Sequence, residues 1–458
     1  MIESDAFKLL LINLFHLNPD DIANIFCTTF NKMMVLVVTL TDKHQACPYC
    51  GFTAPKIKEY VTKEITHSAL TTQKCIIKYR ARRYKCPCCG KTYYEFNPFV
   101  FKSQKISILT VHNILKDLKD FNETFTSVAR RYHVSPTSVS TIFDNHVDIG
   151  RNPLPEIINF DEVYAFKSEK SKYVCVLLDF KKQIPVDVLP NRKKEYLLNY
   201  FQKIPLEERK KVKYACSDMY EVYRDVVHKV FPCSCMLLDY FHLSQDFHRK
   251  MNEVRIKVMK GYKDDKASDE YYLLKKFNWL LFKNPEDEDK YGRLFDVERE
   301  RKYNSHFKSY MNYYDLRRKL LEINNDLTIC YSLKLELVDF YSKSTIDNAK
   351  VNLENLIRSC IDTNIDEMIA FSNNLINWKQ EIINSFTIVG TEYKVEADKG
   401  QVVVCNKKVN NAIIENRNKI IKCIKNNANG YTNWSRFRNR VMYVLDPNAT
   451  FSLEPREK

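Results

Sequence analysis

The sequence predicts a multidomain protein of the α/β plus α class. Three features lead to this prediction: two matching cysteine knuckles, a run of short apolar strands that alternates with helices from residue 157, and a long charged helical stretch after residue 242. With 458 residues, 45% hydrophobic and 13% aromatic, the chain has enough apolar side chains for the cores of two to four domains. A mainly disordered chain is therefore excluded.

The charge and composition restrict the function. The chain carries 72 Lys+Arg against 57 Asp+Glu, a net charge of +15, which favours a polyanionic partner such as nucleic acid. No apolar run reaches the roughly 20 residues that cross a bilayer, and the N-terminus lacks signal-peptide features. We expect a cytoplasmic protein without membrane contact. The 8 glycines form no phosphate-binding loop, which argues against nucleotide hydrolysis.

An N-terminal segment, residues 1–46, precedes a predicted zinc-binding domain at 47–95. The motifs CPYCG and CPCCG share the form C-P-x-C-G, in which two thiolates can bind one tetrahedral zinc. Scattered buried cysteines would not explain two matching knuckles. Their symmetry leaves Cys88 spare, and four thiolates close a structural rather than catalytic site. The predicted ligands are Cys47, Cys50, Cys86 and Cys89.

The strand between the knuckles, KYRARRYK, is a candidate DNA-binding surface. Its cations are placed on one face of a strand, a spacing suited to phosphates. A solvated edge strand is the alternative. The candidate residues are Lys78, Arg80, Arg82 and Lys85.

Residues 105–150 predict a helix-turn-helix. Val128, Ala129 and Tyr132 form an apolar stripe, and Ser135-Pro136 supplies an N-cap and a first-turn proline for the second helix. Three short polar side chains on that helix would stay outside and contact DNA, although any helical hairpin could show the same pattern. These residues are Thr137, Ser138 and Thr141.

The next region, residues 157–242, predicts a mixed sheet of three antiparallel strands followed by parallel strands between helices. Its first strand carries Asp161 and Glu162 at its centre. Burying an unpaired carboxylate costs several kcal/mol, so folding alone does not favour this arrangement. Because successive side chains on a strand face opposite ways, only one of the two is expected to be the functional acid.

A second strand-borne acid, Asp218, ends the strand VKYACSDM and precedes a helix. Open α/β sheets build their sites at such strand ends, although a lone Asp there is more often a helix cap. If the strands of Asp161 and Asp218 are neighbours, the two acids can share a metal. Asp239 and His242 follow the next strand and form a candidate supporting or substrate-contacting pair, or simply a cap and a packed imidazole.

Residues 243–385 predict a helical insertion, and residues 386–458 a strand pair, a last helix near 409–427 and a basic segment, GYTNWSRFRNR. On the last helix Glu415 shares a polar face with Asn411, Asn418, Lys419 and Lys422. A surface ion pair between Glu415 and Lys419 is the alternative.

The order of these motifs, with LLDYFHL and FNWLLFKNPED between them, resembles the ISL-three family of bacterial insertion-sequence transposases over nearly the whole chain. The resemblance implies an RNase H-like catalytic domain, interrupted by the helical insertion, with a D, D, E triad that motif matching assigns to Asp161, Asp218 and Glu415. The family's last motif commonly has Gly after the Glu, where this chain has Asn416. The remaining candidates for the third acid are Glu381, Glu392 and Glu396.

The resemblance also implies a function. The triad would hold two Mg2+ ions, cleave transposon ends and join them to target DNA, while the zinc and helix-turn-helix modules find the terminal inverted repeats. A homodimer or higher oligomer on DNA is expected, nucleoid-associated when bound. The basic segment offers a stacking ring and cations for DNA near the cut; these residues are Trp434, Arg436, Arg438 and Arg440. The alternatives are a non-catalytic DNA-binding regulator and a structure-selective nuclease.

Overall fold

The computed structural model describes residues 2–43, 45–68, 70, 72–101, 104–166, 171–395 and 402–456. Its N-terminal part is a five-stranded sheet, in the order β1-β2-β4-β3 with β5 paired to β4. Strand β2 precedes the first knuckle and pairs in parallel with β4, which follows it. Residues 1–46 and 47–95 therefore share one sheet, with no break at the predicted boundary. The elements are α1 (Ile2–Leu14), a 3-10 turn (Pro19–Asp21), β1 (Ile22–Phe30), β2 (Met33–Leu40), β3 (Lys56–Thr66), β4 (Cys75–Lys85) and β5 (Thr92–Tyr94).

Three helices follow: α2 (Ile108–Asp117), α3 (Phe125–Arg131) and α4 (Pro136–His146). The predicted turn is confirmed. Ser135 caps α4, its side chain accepting from the Ser138 amide at 3.0 Å, and Pro136 occupies the first turn. Val128 and Phe143 are fully buried between the helices. Local capping and an apolar stripe thus define this helix-turn-helix, as the sequence indicated.

The central sheet has five strands in the order β10-β9-β6-β7-β8. Strands β6, β7 and β8 pair antiparallel, whereas β9 pairs in parallel with both β6 and β10. This confirms the predicted antiparallel meander and the parallel pairing after it. The elements are β6 (Ile157–Val163), β7 (Val174–Asp179), β8 (Pro185–Leu189), α5 (Lys194–Gln202), α6 (Leu206–Arg209), β9 (Tyr214–Ser217), α7 (Glu221–Val230) and β10 (Cys235–Leu238).

A mainly helical body with its own hydrophobic core follows β10. The prediction of a helical insertion did not include the two small β-ribbons and the 3-10 helix that lie between α9 and α10. No helix in the described part of the chain is long and apolar enough to cross a membrane. The elements are α8 (Tyr240–Lys260), α9 (Asp269–Lys276), a 3-10 helix (Asn278–Phe282), β11 (Glu288–Asp289), β12 (Gly292–Arg293), β13 (Lys302–Asn304), β14 (Ser309–Met311), α10 (Tyr313–Glu322), α11 (Asn325–Lys343), α12 (Ala349–Asp362), α13 (Asp366–Asn377) and α14 (Lys379–Asn384).

The chain then returns to the central sheet. The predicted strand pair is confirmed as β15 (Ile388–Val395) and β16 (Val402–Lys408), followed by α15 (Ala412–Asn427). The basic segment forms a further helix, α16 (Trp434–Leu445), that was not predicted. Helices α15 and α16 cover one face of the sheet, and α5 and α7 cover the other. The central sheet is therefore buried on both faces.

Candidate active site and metal centre

Asp161 lies on the face of β6 that α15 covers. Its Oδ1 accepts from the Glu162 amide at 2.7 Å, and its Oδ2 accepts from Asn418 Nδ2 at 2.7 Å. Burial raises the pKa of Asp161 to about 7, and the negative charges of Asp218, Glu162 and Glu415 add to the rise. A cation bound beside this carboxyl group would stabilise its ionised form.

Glu162 faces the opposite side of the strand, as the alternation predicted. It forms an ion pair with Arg192 and accepts from the Tyr223 hydroxyl at 3.2 Å. Burial raises its pKa, Asp218 adds to the rise and Arg192 opposes it. Glu162 thus already pairs with a cation, whereas Asp161 has no ion-pair partner among the described residues.

Asp218 directly follows β9, the strand that pairs with β6, so the condition for sharing a metal with Asp161 is met. The helix-cap alternative is wrong, because Tyr220 is the N-cap residue of α7 and makes no side-chain cap bond. Asp218 Oδ1 is buried and has no hydrogen-bond partner among the described residues. Burial raises the pKa of Asp218, while His242 and Arg192 oppose the rise.

Asp239, His242 and Glu415 form a second cluster at the same end of the sheet. Their ligand atoms lie within 4.8 Å of one another. His242 Nε2 is 4.0 Å from Asp239 Oδ2 and 3.9 Å from Glu415 Oε1. Asp239 also caps α8, accepting from the Phe241 amide at 3.4 Å, so the cap alternative holds for this acid alongside its place in the cluster. The pair predicted to support the site is therefore in contact with the predicted third acid.

Two asparagines that the sequence analysis did not single out as site residues attach α15 to β6. Asn159 Nδ2 donates to Asn410 O and to Asn411 Oδ1, both at 2.7 Å, and Asn418 bonds Asp161. Asn411, Glu415 and Asn418 lie at i, i+4 and i+7, so the same helical face that meets β6 carries the acid. The available signal in the sequence was Asn159, a polar residue within an apolar strand two residues before Asp161; the structure buries it fully.

These residues fit a divalent cation. Hard cations bind carboxylate oxygens. Two buried atoms at this site, Asp218 Oδ1 and His242 Nε2, have no hydrogen-bond partner among the described residues. Among the alternative third acids, Glu381 lies on α14, outside the described clusters, and the side chain of Glu392 and all of Glu396 lie outside the described residues. The described geometry supports Glu415.

A family model of ISL3-type DDE transposases, described as "Transposase", matches residues 158–397. The chain belongs to the ISL-three family of transposases. Over 412 residues it is 19% identical to the transposase for insertion sequence element IS1001 from Bordetella parapertussis. The aligned region covers 89% of this chain and 91% of that protein. The protein is thus a DNA transposase. Asp161 and Asp218 lie inside the family match and Glu415 lies beyond it.

The transposase brings the four predicted zinc ligands together. The Sγ atoms of Cys47 and Cys89 are 3.7 Å apart, those of Cys50 and Cys86 are 3.5 Å apart, and all four lie within 4.8 Å of one another. Gly51 and Gly90 have φ angles of 73° and 69°, a conformation that favours glycine and closes each knuckle. Four thiols at this spacing fit one tetrahedral zinc, and Cys88 is not part of the cluster.

The predicted basic face of β4 is only partly available to DNA. Arg82 forms a 2.7 Å ion pair with buried Glu95 and donates to Leu40 O, so it has a structural role. Lys85 is seven residues from Lys78 and lies on the other face of the strand, which corrects the prediction of one shared face. Lys78, paired with Glu64, and exposed Arg80 remain on the surface.

The second helix of the helix-turn-helix presents its polar face as predicted. Thr137 and Thr141 are exposed, whereas Ser138 is half-buried and its amide is bonded to the Ser135 side chain. The two threonines therefore remain the accessible candidates for DNA contact on the transposase.

The prediction of a DNA-contacting basic segment is not supported, because α16 packs inside the transposase. Arg436 pairs with Asp144 of α4 at 2.5 Å, and Arg438 bonds Asp187 at 2.7 Å. Arg440 is 1% exposed and donates to the carbonyls of Asp120 and Glu123. Trp434 packs against Phe166, with ring centroids 5.2 Å apart. These side chains hold the molecule together and are not free for a ligand.

Proposed function

We propose that this transposase binds the inverted repeats at the ends of its element and cleaves and joins DNA with an RNase H-like domain. Asp161, Asp218 and Glu415 would form the active site. The observation that carries the proposal is the proximity of these acids, which come from β6, the end of β9 and α15. The negative charges of Asp218 and Glu415 both add to the raised pKa of Asp161, and Asp218 Oδ1 is buried without a hydrogen-bond partner among the described residues. Three antiparallel strands followed by two parallel strands support the RNase H-like assignment.

Divalent cations, two Mg2+ ions in the family expectation, would be held by the three acids, with His242 and Asp239 beside Glu415. When bound, they stabilise the attacking and leaving oxygens of an in-line phosphoryl displacement. The chain's own residues orient the acids. Asn418 donates a hydrogen bond that orients one oxygen of Asp161. The hydrogen bond between Asn159 and Asn411 fixes the position of α15 against β6 and therefore the position of Glu415. Joining exchanges one phosphodiester for another and so requires no external energy.

DNA binding is assigned to the zinc-bearing sheet and the helix-turn-helix. Thr141→Glu places a negative charge on the exposed face of α4 and should weaken binding to a duplex of the inverted repeat that we expect in the DNA flanking the gene, most strongly at low salt. Gln202→Glu, on an exposed position of α5, is the matched control and should leave affinity unchanged. Equal affinity of the two variants would contradict the assignment.

Cleavage of that labelled duplex in Mg2+ tests the catalytic assignment. Asp161→Asn, Asp218→Asn and Glu415→Gln should bind normally and fail to cut, and double variants should be hardly worse than single ones. Glu162→Gln is the control, since its side chain faces Arg192 on the other side of β6. Joined products distinguish a transposase from a nuclease. Normal cutting by all three acid variants would overturn the proposal, and cutting by none of the proteins, wild type included, would indicate a DNA-binding regulator.

A further inference from the structure

A groove of about 640 Å³ begins at Asp218 and His242 and extends along α8 to Phe282. We propose that it receives the DNA strand on the far side of the scissile phosphate from the helix-turn-helix, that is, the flanking DNA outside the element. The proposal rests on the proposed function and adds a binding surface to the same site.

The position of the groove supports this assignment. The helix-turn-helix is attached near the β8 edge of the central sheet, where Arg436 of α16 pairs with Asp144 of α4 and α16 packs against β8. The helical body is attached at the other edge, where Asn384 donates to Met236 O of β10 at 2.9 Å. The candidate acids lie between the two. DNA held by the helix-turn-helix with a phosphate at the acids therefore continues toward α8.

The side chains along the groove suit a nucleic-acid strand. His242, Gln245, Arg249 and Asn252 follow one another along α8 at intervals of three or four residues, so they line one face of the helix. Amide and guanidinium groups donate to phosphate oxygens. At the far end Phe282 offers an aromatic ring for base stacking.

Arg249 is held in place by a buried carboxylate. Asp246 is 5% exposed, accepts from Asn374 Nδ2 at 2.7 Å and pairs with Arg249 Nη2. The Arg249 side chain nevertheless remains 66% exposed. Because a guanidinium has five N–H donors and this contact uses one of its nitrogens, the group is oriented and still able to bind a phosphate.

The test compares two duplexes without Mg2+, so that binding is measured and no cleavage is required. Both carry the expected inverted repeat; one stops at the element boundary and the other continues into about ten base pairs of native flank. Wild type should bind the flanked duplex about ten-fold more tightly, a gain that one or two good contacts supply. The double variant Arg249→Ala/Asn252→Ala should lose this gain and bind the unflanked duplex normally, which also shows that it is folded.

Lys257→Ala is the matched control, since Lys257 is an exposed cation on α8 that does not line the groove; it should keep the full gain. Gln245→Glu, which adds a negative charge to the groove, should reverse the gain. An equal gain in wild type and the double variant, or no gain in wild type, would overturn the groove assignment. A gain that depends on the groove in a protein that cleaves neither duplex in Mg2+ would support the groove and contradict the proposed catalysis.

Discussion

Asp161 combines burial with neighbouring negative charge, and this makes metal-free stability depend on pH. Its pKa is raised from 3.8 to about 7 in the folded chain. The unfolded chain loses this proton first as the pH rises, so stability is fully present below about pH 4 and declines as the pH rises through 7. Asp161→Asn should remove the penalty and raise the free energy of unfolding in EDTA at pH 8 by on the order of 2–4 kcal/mol.

Thermal unfolding of both proteins from pH 4 to pH 8 checks this prediction. The difference between them should shrink toward pH 4, where Asp161 is protonated in the folded chain and close to half protonated in the unfolded chain. With Mg2+ at pH 8, wild type should gain stability and the variant should gain much less, because only the carboxylate binds the cation. A constant difference at every pH would show that the pKa of Asp161 is not raised in the folded chain.

Asn418 positions Asp161 through one hydrogen bond of 2.7 Å. Asn418→Ala should lower cleavage by about ten- to a hundred-fold, the range for residues that orient a metal ligand, with DNA affinity unchanged. The Mg2+ concentration required for half-maximal rate should rise as well. Lys422→Ala, one turn further on the exposed surface of α15, is the control and should cleave normally.

The sequence was sufficient to assign Asp161 and Glu162 to opposite faces, because side-chain alternation along a strand is strict. The partner of Asp161 could not be found in the same way. Asn418 is 257 residues away, and its contact depends on how α15 docks against β6. Periodicity placed Asn418 on the face of Glu415, but no local pattern states which surface that face meets.

The two cysteine knuckles bring together four thiols that could hold one metal ion beside the N-terminal sheet. The purified transposase should carry one zinc per chain. Cys50→Ser should lose it, since a tetrahedral site needs all four thiolates, and Cys88→Ser should retain it although Cys88 is only one residue from Cys89. Mass spectrometry of the two purified variants measures their zinc content. Equal zinc in both would contradict the ligand assignment.

Elements with strong local signals were predicted correctly, and α16 shows where such signals fail. Ser135-Pro136 and the apolar stripe identified α3 and α4, because caps and period are local properties. In WSRFRNR the alternating arginines suggested a charged surface. The helix instead buries Arg440 against backbone carbonyls of the loop before α3, an arrangement that tertiary packing decides.

Arg440 connects two parts of the molecule, because it joins α16 to the loop that enters the helix-turn-helix. Arg440→Ala removes two hydrogen bonds to carbonyls and leaves a cavity at a site that is 1% exposed. The free energy of unfolding should fall by about 2–4 kcal/mol. Arg358→Ala, an exposed arginine on α12, is the control and should change stability by less than about 0.5 kcal/mol in chemical denaturation. If the Arg440→Ala protein were as stable as wild type but bound DNA weakly, the result would favour the original prediction that Arg440 contacts DNA.

At the scale of the whole chain, the charged helical stretch located the helical body, and the run of short apolar strands located the start of the central sheet. They did not reveal that β2 and β4 belong to one sheet across the first knuckle. Parallel pairing joins strands distant in sequence and leaves no turn signal between them. The division at residue 46 therefore could not be tested from the sequence alone.

The interval between β10 and α15 also determines how the transposase folds during synthesis. Ribosomes add about 5–20 residues per second, so residues 239–411 take on the order of 10–30 s to emerge. During that time the nascent chain exposes an apolar strand surface that includes Val163 and Val176. This surface is covered only later, by residues that include Ile414 and Val441. Such a surface is a target for chaperones and for aggregation. The same delay means that Glu415 reaches Asp161 and Asp218 last. Under the proposed function, a nascent chain from which Glu415 has not yet emerged lacks one of the three acids and should be unable to cut the DNA that encodes it.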